Sequence, residues 1–200
     1  MTRNIKNIRI IKALLDNPAG MLSKYRLAKL SGSSIPWAIE FLKKLEEKKL
    51  IKNTKVLDYD GLVDYAIEAM PKQKYVEFFV RGPEQFLKTT KLEYALTTYV
   101  AENYLYHHLF PSRYDLYIKK DELERWKAFI LKNGLFGKGN LRLILAADEA
   151  LLKEAQTIKG LKFVSTPQLM IDLKKEGGVC MEGYTLIRKE QQLQEHVQKR

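Results

Sequence analysis

Four stretches of the chain hold residue types that can do chemistry. His107 and His108 are adjacent. In a helix over 97–109 their side chains would point about 100° apart, so they could not chelate one ion together. Glu102 lies five residues before His107, off the i, i+4 spacing that sets two metal ligands on one helix face. Asp115-Leu116-Tyr117 has tyrosine where a second carboxylate would complete the pair that two-metal nucleotidyl transfer needs. The run Gly134-Leu135-Phe136-Gly137-Lys138-Gly139-Asn140 is glycine-rich with a lysine. It precedes a strand, whereas a loop that cradles phosphate follows a strand and opens a helix; it reads as a helix stop and tight turn. Cys180, the only cysteine, has no neighbouring base and is expected to be buried and inert. Arg113 and Asp115 could form a local ion pair or meet a partner. No catalytic constellation, metal site or cofactor is expected, and the chain does not read as an enzyme.

Recognition chemistry is a different matter. In 22–50 the residues Ser33, Ser34, Trp37, Glu40 and Lys44 offer hydroxyl, indole, carboxylate and ammonium groups near one turn, the set that reads base edges. Lys24, Arg26, Lys43, Lys52 and Lys55 are the candidates for phosphate contact. Trp37 is equally suited to packing beneath the turn.

Two short helices must position these groups. Ser23 is placed to cap the first, with Leu27, Ala28 and Leu30 on its buried side. Gly32 supplies the positive φ of the corner. The second begins near Ser34 with Pro36 in its first turn, and Ile35, Ala38, Leu42 and Leu45 recur at a 3.6-residue period. Two helices around a glycine-containing turn form a helix-turn-helix, whose second helix enters the DNA major groove. Residues 4–16 predict a preceding helix, with Ile5, Ile8, Ile11, Leu14 and Leu15 as its stripe and Lys6, Arg9 and Lys12 opposite. Residues 50–57 predict a hairpin with the basic tip Lys52-Asn53-Thr54-Lys55. The set is a winged helix-turn-helix.

A turn at 58–61 and a helix to Met70 close a first domain over 1–70; a second domain is expected over 71–200. There the pattern alternates: strands at 74–80, 112–119, 140–146 and 161–165, and helices to Leu87 and over 97–109, 122–133, 148–156 and 168–176. Asp121 and Asp148 are read as helix caps. A last helix runs from Val179 into the early 190s. The overall class is α/β (α+β), a small mixed sheet carrying helices behind the winged helix-turn-helix.

Charge separates the two halves. The formal net charge is +11, and residues 1–56 hold thirteen Lys and Arg against four Asp and Glu, a net +9. Concentrated positive charge on one module suits phosphate neutralisation. A hydrophobic fraction of 46% with 30% charged residues fits a globular chain. No apolar run approaches the roughly 18 residues of a membrane span. The start MTRNIKNIRI lacks the apolar core of a secretory signal, and a cytoplasmic setting is expected.

Three blocks of the second half, ALTTYVAENYLYHHLFPSRYDLYI (95–118), GLFGKGNLRLIL (134–145) and VSTPQLMIDLKKEGG (164–178), with LSKYRLAKLSGSSIPWAIEFLKKLEEKKLI (22–51) in the first, carry a family likeness. The chain resembles the AbiEi-type transcriptional regulators, the antitoxin side of type IV toxin–antitoxin systems, over nearly its whole length. The resemblance implies a DNA-binding repressor whose second domain serves as the antitoxin element. It also implies functional pairing with a nucleotidyltransferase toxin encoded alongside, without a stable toxin complex. Two features depart from the family pattern: the chain is short for it, and Lys49 stands where winged helices often carry glycine before the wing. Double-stranded DNA is the expected partner, with a homodimer if two half-sites are bound. The competing reading is a nucleic-acid-processing enzyme with a nucleotidyltransferase-like C-terminal domain; a third makes that domain a sensor or dimerisation module.

Overall fold

The computed structural model describes residues 3–132 and 134–197. Among them are ten helices, a two-stranded sheet and a seven-stranded mixed sheet, an α+β protein. The chain divides into two units. One comprises the residues up to Lys72 together with Thr166–Ile171, the other Gln73–Ser165 and the residues from Asp172 onward.

The first unit begins with α1 (Arg3–Asp16), which buries Ile8, Ile10, Ile11, Leu14 and Leu15. Three positions differ from the simple stripe, the first being Ile5, which is only half-buried. Ile10 is fully covered, and Lys12, expected on the solvent side, is only 7% exposed. A lysine can lay its methylene stem along apolar neighbours, so its burial does not require a buried charge.

Helix α2 (Lys24–Ser31) starts at Ser23, whose hydroxyl accepts from the Arg26 N–H, and ends at Gly32 with φ 64°. The Ser33 N–H reaches the Ala28 carbonyl at 3.0 Å and the Gly32 N–H the Lys29 carbonyl at 3.3 Å, the paired bonds of a Schellman stop. Helix α3 (Ile35–Glu47) follows at once, capped by Ser34, with Ala38, Phe41, Leu42 and Leu45 buried. Leu30 and Ile35, expected in the core, are 47% and 42% exposed. Ile35 shares its direction with Leu42 but stays largely exposed at the start of the helix, and Phe41 fills the core instead.

Helix α3 stops as α2 does. The Leu50 N–H bonds the Leu45 carbonyl at 3.0 Å and the Lys49 N–H the Glu46 carbonyl at 2.8 Å, with Lys49 itself at φ 59°. The position is therefore left-handed here too, held by lysine where glycine would carry no Cβ strain. Strands β1 (Ile51–Lys52) and β2 (Lys55–Val56) pair antiparallel across Asn53-Thr54, with Lys52 opposite Lys55. Asn53, at φ 57°, suits a tight hairpin turn. Helix α4 (Tyr59–Ala69) starts three residues earlier than its apolar run suggests, because Asp58 accepts from the Gly61 N–H at 2.8 Å. The segment 58–61, read as a turn, is its cap and first helical residues.

The hairpin is pinned to the α1–α2 loop. The Val56 N–H donates to the Pro18 carbonyl at 2.9 Å, and the Thr54 hydroxyl to the Gly20 carbonyl at 3.0 Å. Gly20 sits at φ 82°, and a Cβ there would lie 2.9 Å from the Lys55 backbone. Gly20→Ala is expected to cost about 2–3 kcal/mol in urea unfolding, combining left-handed strain with a backbone collision. Gly82→Ala, at φ 62° with open space around it, is the control and should cost only about 1 kcal/mol. Equal losses would mean that the close approach at Lys55 contributes nothing.

The second unit is built on the sheet. Its elements are β3 (Tyr75–Val80), α5 (Pro83–Thr89), β4 (Ala95–Thr97), α6 (Thr98–Tyr106), β5 (Tyr114–Ile118), α7 (Leu123–Ile130), β6 (Gly134–Phe136), β7 (Leu141–Leu145), α8 (Ala150–Lys153), β8 (Gln156–Ile158), β9 (Leu161–Phe163), α9 (Thr166–Glu176) and α10 (Val179–Val197). The strand order is β6-β3-β7-β5-β4-β9-β8. The β5–β7 and β4–β9 pairs are parallel and the others antiparallel. Because side chains alternate across a strand, register sorts the sheet into rows. Val76, Leu143, Leu116 and Leu96 form one row; Glu77, Arg142, Asp115 and Thr97 form the next, on the opposite face.

Several expectations for this unit need correction. Residues 134–136 are an edge strand, not only a turn, and the strands at 95–97 and 156–158, unassigned from sequence, each take one residue, Thr97 and Gln156, from a stretch read as helical. Asp121 does not cap α7, which begins after Glu122 without a side-chain cap. Asp148 accepts from the Ala150 N–H at 3.1 Å, although Glu149 is the residue at the N-cap position. Helix α6 ends at Tyr106, with His107 at φ 66° beyond it, so His107 and His108 are not on a helix. Short strands owe their state to the neighbours that pair with them, and local propensity does not carry that information.

Candidate nucleic-acid interface

The recognition-helix candidates sit on α3 and its cap. Ser34 is exposed, and its hydroxyl takes the Trp37 N–H at 3.4 Å. Ser33 is half-buried, its hydroxyl 2.8 Å from that of Ser31. Both serines therefore fix the corner, and Ser34 still faces outward. Glu40 and Lys44 are exposed and joined at 2.9 Å, with side chains 62% and 55% accessible. The pairing pulls the Glu40 carboxyl below its usual range, chiefly through the Lys44 hydrogen bond, and raises the Lys44 ammonium. Lys43 is exposed beside them.

Of the two readings of Trp37, the packing one has contacts to show. It is half-buried, its indole N–H donates to Asn7 Oδ1 at 3.0 Å, and the Arg3 guanidinium lies 5.2 Å from its ring centre. It belongs to the flank of α3 that packs on α1. A cleft of about 240 Å³ opens along that flank, lined by Arg3, Asn7, Trp37, Glu40, Lys44 and Tyr65 among others. The partner Asn7, thirty residues away in sequence, carried no local signal.

The phosphate candidates divide similarly. Arg26 is exposed in the first turn of α2, while Lys24 is half-buried. Lys52 and Lys55 are exposed and directly opposite on the hairpin. Like charges facing each other across a ladder repel. The Glu46 carboxylate accepts the Asn53 backbone N–H and ties α3 to the hairpin tip.

The second unit holds a polar cluster that sequence reasoning saw only at its edge. Asp115, with 0% exposure, receives Arg113 Nε at 2.6 Å, a second Arg113 nitrogen at 2.7 Å and the Thr98 hydroxyl at 2.6 Å. Arg113 also reaches Glu176 at 2.6 Å, and Arg142 bonds Glu77 at 3.0 Å and Glu176 at 3.2 Å. The Arg113–Asp115 alternative thus resolves as a local ion pair. Burial works against the Arg113 charge, but hydrogen bonds to Asp115 and Glu176 outweigh it and raise its pKa. Burial likewise works against the Glu176 charge, and the two arginines overcome it, holding the carboxyl below its usual range.

Asp172, one turn before Glu176 on the same face of α9, accepts from the Thr97 hydroxyl at 2.7 Å and the Tyr117 hydroxyl at 2.9 Å. The cluster's carboxylates are engaged by guanidinium and hydroxyl donors, which fits a structural role better than acid–base work. Among the described residues no three His, Cys, Asp or Glu side chains gather as a metal-ligand set. Cys180 is buried, and burial first of all pushes its thiol up to about 11, far from a thiolate nucleophile. Among the described residues no helix is long and apolar enough to cross a membrane. Comparison of the chain with family models, curated proteins and solved structures finds no match in any of the three.

Proposed function

We propose that the chain is a DNA-binding transcriptional regulator that reads duplex DNA through α3 and the β1–β2 hairpin. The observation that carries this reading is the exposed, like-charged pair Lys52 and Lys55 on a hairpin that directly follows the Ser34-capped helix. The net +9 of residues 1–56 supports it, since sequence-independent affinity for DNA scales with phosphates neutralised. The resemblance to AbiEi-type regulators extends the proposal: an autorepressor, acting as a homodimer on paired half-sites in the cytoplasm, with antitoxin activity towards a nucleotidyltransferase encoded beside it. The enzyme reading has less support, because Asp115, Glu77 and Glu176 are each held by arginine.

The test is a fluorescence titration of the full chain with the duplex upstream of its own gene and with a shuffled duplex, across a salt series. The expected result is tighter binding to the upstream duplex and a log–log salt slope of several units for both. A slope near zero for both would remove the proposal. Labelled product on incubation with nucleotides, Mg²⁺ and RNA would favour the enzyme instead.

A further inference from the structure

Resting on the duplex-binding reading, we infer that Glu40 is a specificity-determining residue that selects cytosine, and that Lys44 positions its carboxylate rather than neutralising a phosphate. Glu40 lies in the second turn of α3 and is exposed together with Lys44, to which it is bonded at 2.9 Å. An exposed pair at this spacing adds little to folding, and both side chains are more than half exposed. A carboxylate brought into a DNA groove is repelled by the phosphates, so it is tolerated there only where it meets a donor. Among base edges in the major groove, cytosine offers its N4 amino group; adenine offers N6 but sets the N7 acceptor beside it, and thymine offers an acceptor and a methyl group. A carboxylate therefore favours cytosine.

Lys44 makes this placement tolerable. Its ammonium cancels most of the Glu40 charge seen by the phosphates and fixes one carboxylate oxygen, leaving the other to accept from the base. The remaining carboxylates of α3 are placed differently. Glu46 is committed to the Asn53 N–H, and Glu47 is the last residue of the helix, away from the N-terminal half that meets bases. The neighbours of Glu40 in that cleft, Trp37 and Asn7, are bonded to each other, and Lys44 holds only the Oε1 oxygen of the carboxylate.

The experiment selects binding sites from a randomised duplex library with the full-length wild-type chain and with Glu40→Gln, Lys44→Met and Lys44→Arg, thermal melts confirming that each folds. The wild type should enrich a site with one required C·G pair, and changing that C to T should weaken binding about 10- to 100-fold. Glu40→Gln should switch the same position to adenine, the base that an amide pairs with at N6 and N7, and leave other positions unaltered. Lys44→Met should relax the cytosine preference without lowering the salt slope, and Lys44→Arg should restore it. An unchanged site preference in Glu40→Gln, beside undiminished duplex binding, overturns the role of Glu40 and leaves the DNA-binding reading intact. A salt slope reduced by about one unit in Lys44→Met returns Lys44 to the phosphates and overturns its positioning role. Failure of every chain to bind any duplex removes both.

Discussion

Replacing Lys43, Lys52 and Lys55 together by alanine is expected to weaken duplex binding about 100-fold at physiological salt and to flatten the salt slope by roughly 2.7 units. The figures follow from about 0.9 counterions released per phosphate neutralised, taken three times, at a salt concentration near 0.15 M. All three lysines are exposed, and Lys52 and Lys55 face each other on the hairpin. Removing them therefore leaves no buried partner orphaned, and folding should be untouched or slightly improved by the relief of like-charge repulsion. The loss should be of similar size on the upstream and shuffled duplexes, because phosphate contacts carry no sequence information. A loss confined to the upstream duplex, with an unaltered slope, would place these side chains on bases instead.

Asp115→Ala is expected to destabilise the second unit by about 3 kcal/mol, the typical effect of breaking a buried ion pair from one side. The carboxylate has 0% exposure and receives bonds from Arg113 and the Thr98 hydroxyl. Its removal strips Arg113 of a bidentate partner in a partly desolvated site and orphans Thr98. Replacing Arg113 and Asp115 together by Met and Leu should recover part of the loss, since an apolar pair of similar volume removes the charge and its counter-charge at once, while Arg142 still holds Glu176 and the Thr98 hydroxyl stays without its acceptor. The chain has two tryptophans, Trp37 in the first unit and Trp126 buried in the second. Urea unfolding followed by fluorescence in a Trp37→Phe background therefore reports the second unit alone.

The same cluster makes stability depend on acid. The Glu176 carboxyl is held below its usual range by Arg113 and Arg142, against the opposing effect of burial. Its contribution is then fully present above the ordinary carboxylate value of about 4.3 and is lost as pH falls through the lowered value. Glu176→Gln should flatten the acid limb of the unfolding curve; an unchanged limb would mean that the ion pairs of Glu176 with Arg113 and Arg142 contribute nothing to stability.

Local chemistry determined the recognition unit. Ser23, Gly32, Ser34 and Pro36 each act within four residues, through a cap, a left-handed corner or a preset φ, and such short-range preferences are legible in sequence. So were the buried Ala38, Leu42 and Leu45, whose period needs only helix geometry. The concentration of charge in 1–56 needed no structure at all. Wherever the outcome depended on which distant residue arrives opposite, the sequence was silent. It could not tell that Ile35 would lie uncovered while Lys12 was covered, or that Asn7 would claim the Trp37 indole. Strands β4, β6 and β8, three residues each, are too short to have a pattern of their own and exist because longer neighbours pair with them. The row Glu77–Arg142–Asp115–Thr97 is set by the register of four strands, and one residue of slip would turn every member to the other face. Tertiary structure alone decided that a lone Asp115, which looked like half of a lost catalytic pair, is the buried partner of two hydroxyl- and guanidinium-bearing neighbours.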